Sequence, residues 1–374
     1  MNFYDQLHNQ NRGMTVVEDA RMLPNGETLS EHREHCEARP GHCPYEAAAR
    51  KGDRSDDLTT VGGGSPRMNI PSLRDFDRHV ASKELVWMRK AGVTIQQFRT
   101  IKANLAKTME DVLNRFPIGV SIRSTAQLKK TKVVREILRS GFRNIYETKE
   151  GGGTTDPIIR RETEAANFGW SESFAKRMKP SDRPKYGMLA NGYRVADRIR
   201  MFKQMGLTNA EIQRELAKSP QPNEEGVVEY GDSMYGRNFI TLKKDKVNAT
   251  FVVGDSMDNL LQKPAVAPSR LNEPSPVSLN PGGKLIEMLK QGPVLGLTTD
   301  DIRRMNGGLG NDRYVEVQLH GQVPPESIDE IRFADMDEFK EAGLTKEDWG
   351  IIDRLGIKVS VNGKKVLRKS STHG

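Results

Sequence analysis

The order of strand-like and helical segments most constrains how this 374-residue chain can fold. Strand candidates, recognised by branched or aromatic residues in alternation, occur at 118–124, 185–190, 239–242, 249–253, 314–319 and 357–361. Helical segments do not separate them regularly, as they would in a parallel sheet built from crossover units. The sequence therefore predicts an α+β fold with a mostly antiparallel sheet. We expect 239–242 and 249–253 to pair across a polar turn.

Capping motifs and apolar spacing locate the helices. Thr94 and Gln97 have the spacing of a capping box, and the apolar stripe that follows continues until Pro117. This stripe fits a core face, and a partner-binding helix is the alternative. Further helices are predicted at 129–139, from Thr208, from Thr298 and at 345–355. At the C-terminal end, Asn362 and Gly363 predict a hairpin with a type I′ turn.

Composition changes divide the chain into three parts. Residues 1–70 are predicted to be a disordered, flexible leader that ends in a glycine-rich joint, 71–117 a helical extension, and 118–374 the main domain. The leader contains five possible soft metal ligands, namely His32, His35, Cys36, His42 and Cys43. Their spacing matches no standard zinc finger, so a His-rich disordered segment is the preferred interpretation and no metal site is assigned.

The formal net charge of +8 raises the possibility of an acidic partner. Basic and acidic residues are interspersed, however, and the densest basic run lies at the C-terminus, which is typical of a solvated tail. The run consists of Lys364, Lys365, Arg368 and Lys369. No stripe of aromatic and basic residues accompanies it, so nucleic acid is not an expected partner.

Neither a membrane span nor a secretory signal is visible, because the sequence has no apolar stretch of about 18 residues and no basic start followed by an apolar run. The two cysteines cannot form a disulfide framework. We therefore expect a cytoplasmic protein, or one delivered into a host cell by a route that uses no signal peptide.

The strand at 314–319 carries the strongest candidate for chemistry. Val315 and Val317 point to one face, so Glu316 and Gln318 share the other face with Tyr314. A lone glutamate on an alternating strand usually faces water. A polar row that continues to His320 suits a cleft better than a bare surface, and Glu316 is therefore the candidate catalytic carboxylate.

Several segments together resemble the ADP-ribosyltransferase superfamily, in particular a branch found in bacteria and their phages. The segments are GVSIRS at 119–124, followed by EILRSGF at 136–142, then RPKYG at 183–187, TFVVGDS at 250–256 and YVEVQLHG at 314–321. The resemblance implies a split, mostly antiparallel sheet and transfer of ADP-ribose from NAD to a macromolecular acceptor, for which a protein is the expectation. It further implies a possible role as a bacterial effector or toxin, or as a phage protein.

The resemblance also implies a role for individual residues. Glu316 would stabilise the positive charge that develops on the ribose when nicotinamide leaves. Arg123 and Arg183 are candidates for binding the phosphates of NAD, since a guanidinium can bind phosphate bidentately. Tyr186 would stack on nicotinamide, and Ser256 would orient the carboxylate. Tyr314 and Gln318 complete the predicted NAD-binding set.

Two of these assignments have alternatives in which the residue has no functional role. Arg123 could equally be a surface residue of its strand. Arg183 precedes Pro184 and could instead have a structural role in an extended turn.

The sequence departs from the family pattern at informative positions. A Ser-Thr-Ser tripeptide is absent, and Tyr314 occupies the position where members that modify arginine carry a second acid, so arginine is not the expected acceptor. The glycine fingerprint of a dinucleotide-binding Rossmann fold is also absent. The alternative to an enzyme is a phage-associated structural or interaction protein that retains the fold without catalysis.

Overall fold

The computed structural model describes residues 70–128, 131–149, 156–190, 192–217, 222, 224, 226–228, 236–256, 268–271, 273–306 and 314–366. The chain divides into two compact units, Met1–Arg67 and Met68–Gly374. All described residues belong to the second unit. The His and Cys cluster of the predicted leader lies outside them, and the proposed three-part division remains a prediction.

The described residues form twelve α-helices. They are α1 (Phe76–Ala91), α2 (Ile95–Arg115), α3 (Val133–Ser140), α4 (Ile145–Thr148), α5 (Pro157–Phe168), α6 (Glu172–Arg177), α7 (Val195–Gln204), α8 (Asn209–Ala217), α9 (Lys284–Leu289), α10 (Thr299–Met305), α11 (Met336–Ala342) and α12 (Lys346–Leu355). None of these helices has both the length and the apolar character needed to cross a membrane.

The same residues form thirteen strands. They are β1 (Ile118–Ile122), β2 (Gln127–Leu128), β3 (Thr131–Lys132), β4 (Lys185–Leu189), β5 (Tyr193–Arg194), β6 (Val227–Val228), β7 (Asn238–Leu242), β8 (Asn248–Val253), β9 (Ser269–Arg270), β10 (Val315–His320), β11 (Ile328–Phe333), β12 (Lys358–Val361) and β13 (Lys364–Lys365).

Nine of the described strands make one sheet in the order β13-β12-β11-β7-β1-β4-β10-β8-β9. Every neighbouring pair is antiparallel except β11 and β12, which are parallel. The expected mixed helix-and-sheet class and the mostly antiparallel sheet are confirmed. The remaining described strands form two small ribbons, β2–β3 and β5–β6.

The expected pairing between 239–242 and 249–253 is wrong. Both segments are strands, but β7 lies between β11 and β1, whereas β8 lies between β10 and β9. A single 3₁₀ turn at Lys244–Lys246 carries the chain from one to the other. Both strands are buried over most of their length, so each needs a neighbour on both sides. A local turn signal cannot specify such neighbours.

The helix expected from residue 129 begins later, at Val133. Thr131 and Lys132 pair instead with Leu128 and Gln127 in a short ribbon, which uses their backbone groups before the helix starts. Its predicted end is confirmed, since Gly141 follows Ser140 with a φ of 76°.

Local signals elsewhere are confirmed. Thr94 caps α2 in a capping box with Gln97, and Thr298 and Thr345 cap α10 and α12 in the same way. The C-terminal hairpin turns at Asn362 and Gly363, whose φ angles of 48° and 72° are those of a type I′ turn.

The apolar stripe of α2 belongs to the main core. Phe98, Ile101, Leu105, Met109 and Val112 are buried in one cluster with the apolar residues of the sheet. The core interpretation of this stripe is therefore confirmed. The apolar side chains of β10 lie in this core, and α5 contacts the other face of the sheet at Tyr186 and His320.

The packing of β1 leaves no space for a side chain at Gly119. A Cβ atom there would lie 2.6 Å from Cε1 of Phe239 and against the carbonyl oxygen of Ile240. We expect Gly119→Ala to lower the free energy of unfolding by about 1–3 kcal/mol, because the neighbouring strand must shift. Urea denaturation measures the free energy of unfolding of both proteins.

Gly350→Ala is the control. Gly350 lies in α12 with open space around it, so alanine should raise the free energy of unfolding by roughly 0.5–1 kcal/mol. A Gly119→Ala protein as stable as the wild type would contradict the expectation.

Candidate functional site

The polar row predicted on β10 is present. The Gln318 amide donates to Oε1 of Glu316 at 2.6 Å, and the Thr250 hydroxyl on β8 donates to Oε1 of Gln318 at 2.9 Å. The alternation predicted from the sequence is therefore confirmed, with the valines in the apolar core and the polar side chains on the opposite face. The exposed fractions of Glu316 and Gln318 are only 5% and 0%. Both side chains thus belong to a buried polar cluster.

Helix α5 covers this cluster. The Arg160 guanidinium lies 4.9 Å from the centre of the Tyr186 ring on β4, and the Tyr186 hydroxyl donates to Oε1 of Glu164 at 3.2 Å. At the other end of the helix, the Phe168 ring meets His320 edge-on, with the ring centres 5.0 Å apart. Because Tyr186 pairs with Gln318 in register, α5 lies over β4 and β10.

Burial sets the protonation of Glu316. Burial first, and then the nearby Asp255 carboxylate, raise the pKa of this carboxyl from its usual value near 4.5 to about 8. The Ser256 hydroxyl, the Gln318 amide and the Arg160 guanidinium act in the opposite direction. The Ser256 hydroxyl is buried and has no partner of standard hydrogen-bond geometry among the described residues. In the free protein at pH 7, most of Glu316 is therefore protonated.

A second carboxylate, Glu164, is held by an ion pair. Nη1 of Arg183 lies 2.7 Å from Oε2 of Glu164, and both side chains are buried. The Tyr146 hydroxyl is 3.4 Å from the same oxygen, and the Arg183 guanidinium lies 4.4 Å from the centre of the Tyr146 ring. Burial raises the pKa of Glu164, while Arg183 and then Arg160 oppose that shift.

His320 is buried between two hydroxyls. Its Nδ1 lies 2.9 Å from Oγ of Ser72 and its Nε2 lies 2.9 Å from Oγ1 of Thr250. Burial lowers the pKa of His320 to about 3, and the nearby charges of Arg270 and Lys185 act in the same direction. The imidazole is therefore neutral at physiological pH, and a hydroxyl can pair with either its protonated or its unprotonated ring nitrogen.

The structure brings most of the sequence-predicted site residues together. Glu316, Gln318, Tyr186, Arg183 and Ser256 lie in or beside the buried cluster. Tyr314 lies at its border, where its hydroxyl donates to Oδ2 of Asp255 at 3.0 Å.

Arg123 is not brought to this cluster. It is exposed and follows β1, which β4 separates from β10. Gly119 of β1 aligns with Met188, and Met188 aligns with Glu316. Arg123 is four residues farther along, a displacement of about 13 Å along the strand. This position fits the alternative in which Arg123 is a surface residue.

Arg183 contacts other groups of the protein, as expected if its role is structural. Besides the ion pair with Glu164, its guanidinium donates to the carbonyl oxygen of Ala175. The ion pair already compensates the charge of this buried guanidinium, so a phosphate group would compete with the Glu164 carboxylate for Arg183.

Sequence reasoning did not identify Arg160, Glu164 or Asp255 as site residues. A signal for α5 exists, because Asp156 caps the helix and Pro157 occupies its first turn. This signal could have located the helix. It could not have placed the helix over the polar face of the sheet.

Comparisons with protein-family models, with curated proteins and with solved structures find no match to this chain. Within the described residues, no group of three or more His, Cys, Asp or Glu side chains is arranged to hold a metal ion.

The raised pKa of Glu316 predicts a pH-dependent stability. Between pH 4.5 and 8 the folded protein holds a proton that the unfolded chain releases, so the free energy of unfolding falls as pH rises through this window. Glu316→Gln retains an acceptor for Gln318 but cannot ionise. As pH rises from 5 to 8, the free energy of unfolding of this variant should increase relative to that of the wild type by on the order of 3 kcal/mol. Urea unfolding at several pH values measures this, and parallel curves for the two proteins would refute it.

The lowered pKa of His320 predicts a slope of opposite sign. Below pH 6.5 His320 is protonated in the unfolded chain, whereas in the folded protein it is protonated only near pH 3. The free energy of unfolding therefore falls as pH decreases. In His320→Gln the contribution of His320 to the slope of the free energy of unfolding against pH below 6.5 should be absent, whatever the stability of the variant at neutral pH. Acid titrations of the wild type and the variant, followed by circular dichroism, test the difference. An equal slope in both proteins would rule out a neutral buried His320.

Proposed function

We propose that this protein is an ADP-ribosyltransferase that transfers ADP-ribose from NAD to a protein acceptor, with Glu316 as the carboxylate that stabilises the reacting ribose. The observation that carries the proposal is a buried Glu316 on the polar face of an antiparallel sheet, held by Gln318 and bordered by Ser256. An ADP-ribosyltransferase-like split sheet is part of the same proposal. The resemblance of the sequence segments supports it.

The reaction breaks the bond between ribose C1′ and the nicotinamide nitrogen. Nicotinamide leaves with the bonding electron pair, and positive charge develops on the sugar. A fixed carboxylate beside C1′ stabilises that charge more strongly in a buried site than in water. A nucleophile of the acceptor then forms the new bond to C1′ and releases its proton. Glu316 supplies the carboxylate in this scheme.

The protonation state of Glu316 is compatible with this role once NAD is bound. In the free protein its pKa is about 8, chiefly because of burial. The nicotinamide ring of NAD carries a positive charge, and an opposite charge within a few ångströms favours the ionised carboxyl. Substrate binding and ionisation of Glu316 would therefore support each other.

The scheme assigns roles to the side chains around Glu316. Gln318 and Ser256 orient the carboxylate by hydrogen bonding, while Tyr186 and Tyr314 border the nicotinamide and ribose. Arg123 has no part in it, because its strand position is remote from Glu316. A phosphate of NAD bound at Arg183 would compete with the Glu164 carboxylate. Since Tyr314 replaces an acid, an acceptor residue other than arginine is proposed.

One observation favours a second function. All six residues of β10 are buried, and a hydrogen-bonded network runs from Glu316 through Gln318, Thr250 and His320 to Ser72. Such a network can serve purely to organise a core. The second candidate is therefore a phage-associated structural or interaction protein that retains the fold without turnover. Isothermal titration calorimetry separates the two, because the enzyme must bind NAD and the scaffold need not.

The catalytic proposal predicts that Glu316→Gln and Glu316→Ala release nicotinamide at least roughly 100-fold more slowly than wild type. Chromatography measures the release of nicotinamide, and labelling of a cell lysate with tagged NAD measures the transfer of ADP-ribose to acceptors. Glu330→Gln is the matched control. Glu330 is a half-buried strand carboxylate whose partners, Arg332 and Ser360, lie outside the cluster. Wild-type rates in a folded Glu316→Ala protein would exclude Glu316 as the catalytic group.

A further inference from the structure

Helix α5 places a guanidinium over the polar face of the sheet. Arg160 lies in the second turn of α5 and is only 8% exposed. Its guanidinium stacks on Tyr186 at 4.9 Å, and Tyr186 is the register partner of Gln318, which donates to Glu316 at 2.6 Å. Arg160 is therefore held on the same face as Glu316, above the adjacent strand.

The groups that face Glu316 come from four elements. Asp255 and Ser256 follow β8, Gln318 belongs to β10, Tyr186 belongs to β4, and Arg160 belongs to α5. Asp255 contributes a negative charge that disfavours an ionised Glu316. Arg160 contributes the opposing positive charge, and it acts in a buried environment where such charges are weakly screened.

The second arginine of the cluster has a different task. Arg183 forms the ion pair with Glu164 at 2.7 Å and donates to Ala175. Arg160 also lowers the pKa of Glu164, but Arg183 does so more strongly. The two guanidinium groups thus serve two carboxyls, with Arg183 assigned to Glu164.

We propose that Arg160 is a positioning residue for Glu316, and that its guanidinium favours the charged form of the buried carboxyl, which is the form that the reaction uses. The catalytic consequence rests on the proposed function. Arg160 acts through its charge and through Tyr186, and it does not contact the reacting bond. Replacement of Arg160 should therefore shift a pH profile, which a purely structural residue would not do.

The position of α5 makes this role specific. Asp156 accepts from the backbone N–H of Ile158 at 2.7 Å and caps the start of the helix, while Phe168 packs on His320 at its end. The neighbouring Arg161 is half-buried and points about 100° away around the helix. Arg161 carries the same charge on the same helix without facing Tyr186, so it provides a matched control.

The first test is a direct titration of Glu316 in the full-length protein. The carboxyl band of Glu316 is obtained as the infrared difference between each protein and the same protein carrying Glu316→Gln. Arg160→Gln should raise the midpoint by about one pH unit or more, since a nearby opposite charge is removed. Arg160→Lys should restore most of the wild-type midpoint, and Arg161→Gln should leave it unchanged. Equal midpoints in wild type and Arg160→Gln would overturn the inference. If Arg160→Gln does not fold, Arg160→Met preserves the apolar stem and is judged by the same criterion.

The second test is the pH profile of nicotinamide release. The acid limb of kcat should move to higher pH in Arg160→Gln, return towards wild type in Arg160→Lys, and stay in place in Arg161→Gln. An active wild type whose acid limb is identical in Arg160→Gln would refute the positioning role alone. A wild-type protein that binds and cleaves no NAD would refute the proposed function, and the infrared midpoints would still decide whether Arg160 controls Glu316.

Discussion

A sheet that buries both faces must satisfy the polar side chains of one of them, and this requirement organises the structure around β10. The apolar face of the sheet packs against α2 and needs only complementary shape. The opposite face presents Glu316, Gln318 and His320, whose polar atoms would each be costly to bury without partners. Neighbouring strands and α5 supply those partners. The position of α5 on the sheet follows from this demand for hydrogen bonds and charge.

The two buried glutamates illustrate different solutions to the same problem. Glu164 is compensated by Arg183 and by two tyrosine hydroxyls, and removing one partner of such a pair leaves an uncompensated buried charge. Glu316 has amide and hydroxyl neighbours and a carboxylate nearby. Burial raises the pKa of both glutamates, but the Asp255 charge adds to this effect at Glu316, whereas the Arg183 charge opposes it at Glu164. Perturbed carboxyls of this kind are concentrated at functional sites, although structural networks also contain them. Under the proposed function, Glu316 is the reactive group of the cluster and Glu164 is part of its frame.

Features that depend on neighbours along the chain were accessible from the sequence. The capping boxes at Thr94, Thr298 and Thr345 join a side chain to a backbone group three residues away, so their spacing is diagnostic. The turn at Asn362 and Gly363 follows equally from local backbone preferences. The alternation of β10 correctly separated its valines from Glu316 and Gln318. The mostly antiparallel sheet was also predictable, because the strand and helix segments do not alternate.

Features that depend on distant residues were decided by the tertiary structure alone. The separation of β7 from β8 in the sheet arises because each is buried between two other strands, and no local pattern encodes which strands those are. Arg123 is distant from Glu316 for the same reason, although both lie in segments of the same family resemblance. Arg160, Glu164 and Asp255 became site residues only when α5 and the end of β8 met β10. The sequence by itself determined that Glu316 would stand in a polar row. Its raised pKa came from tertiary burial and from charges that the fold assembles from separate segments, because electrostatic interactions depend on distance in space and on solvent exclusion.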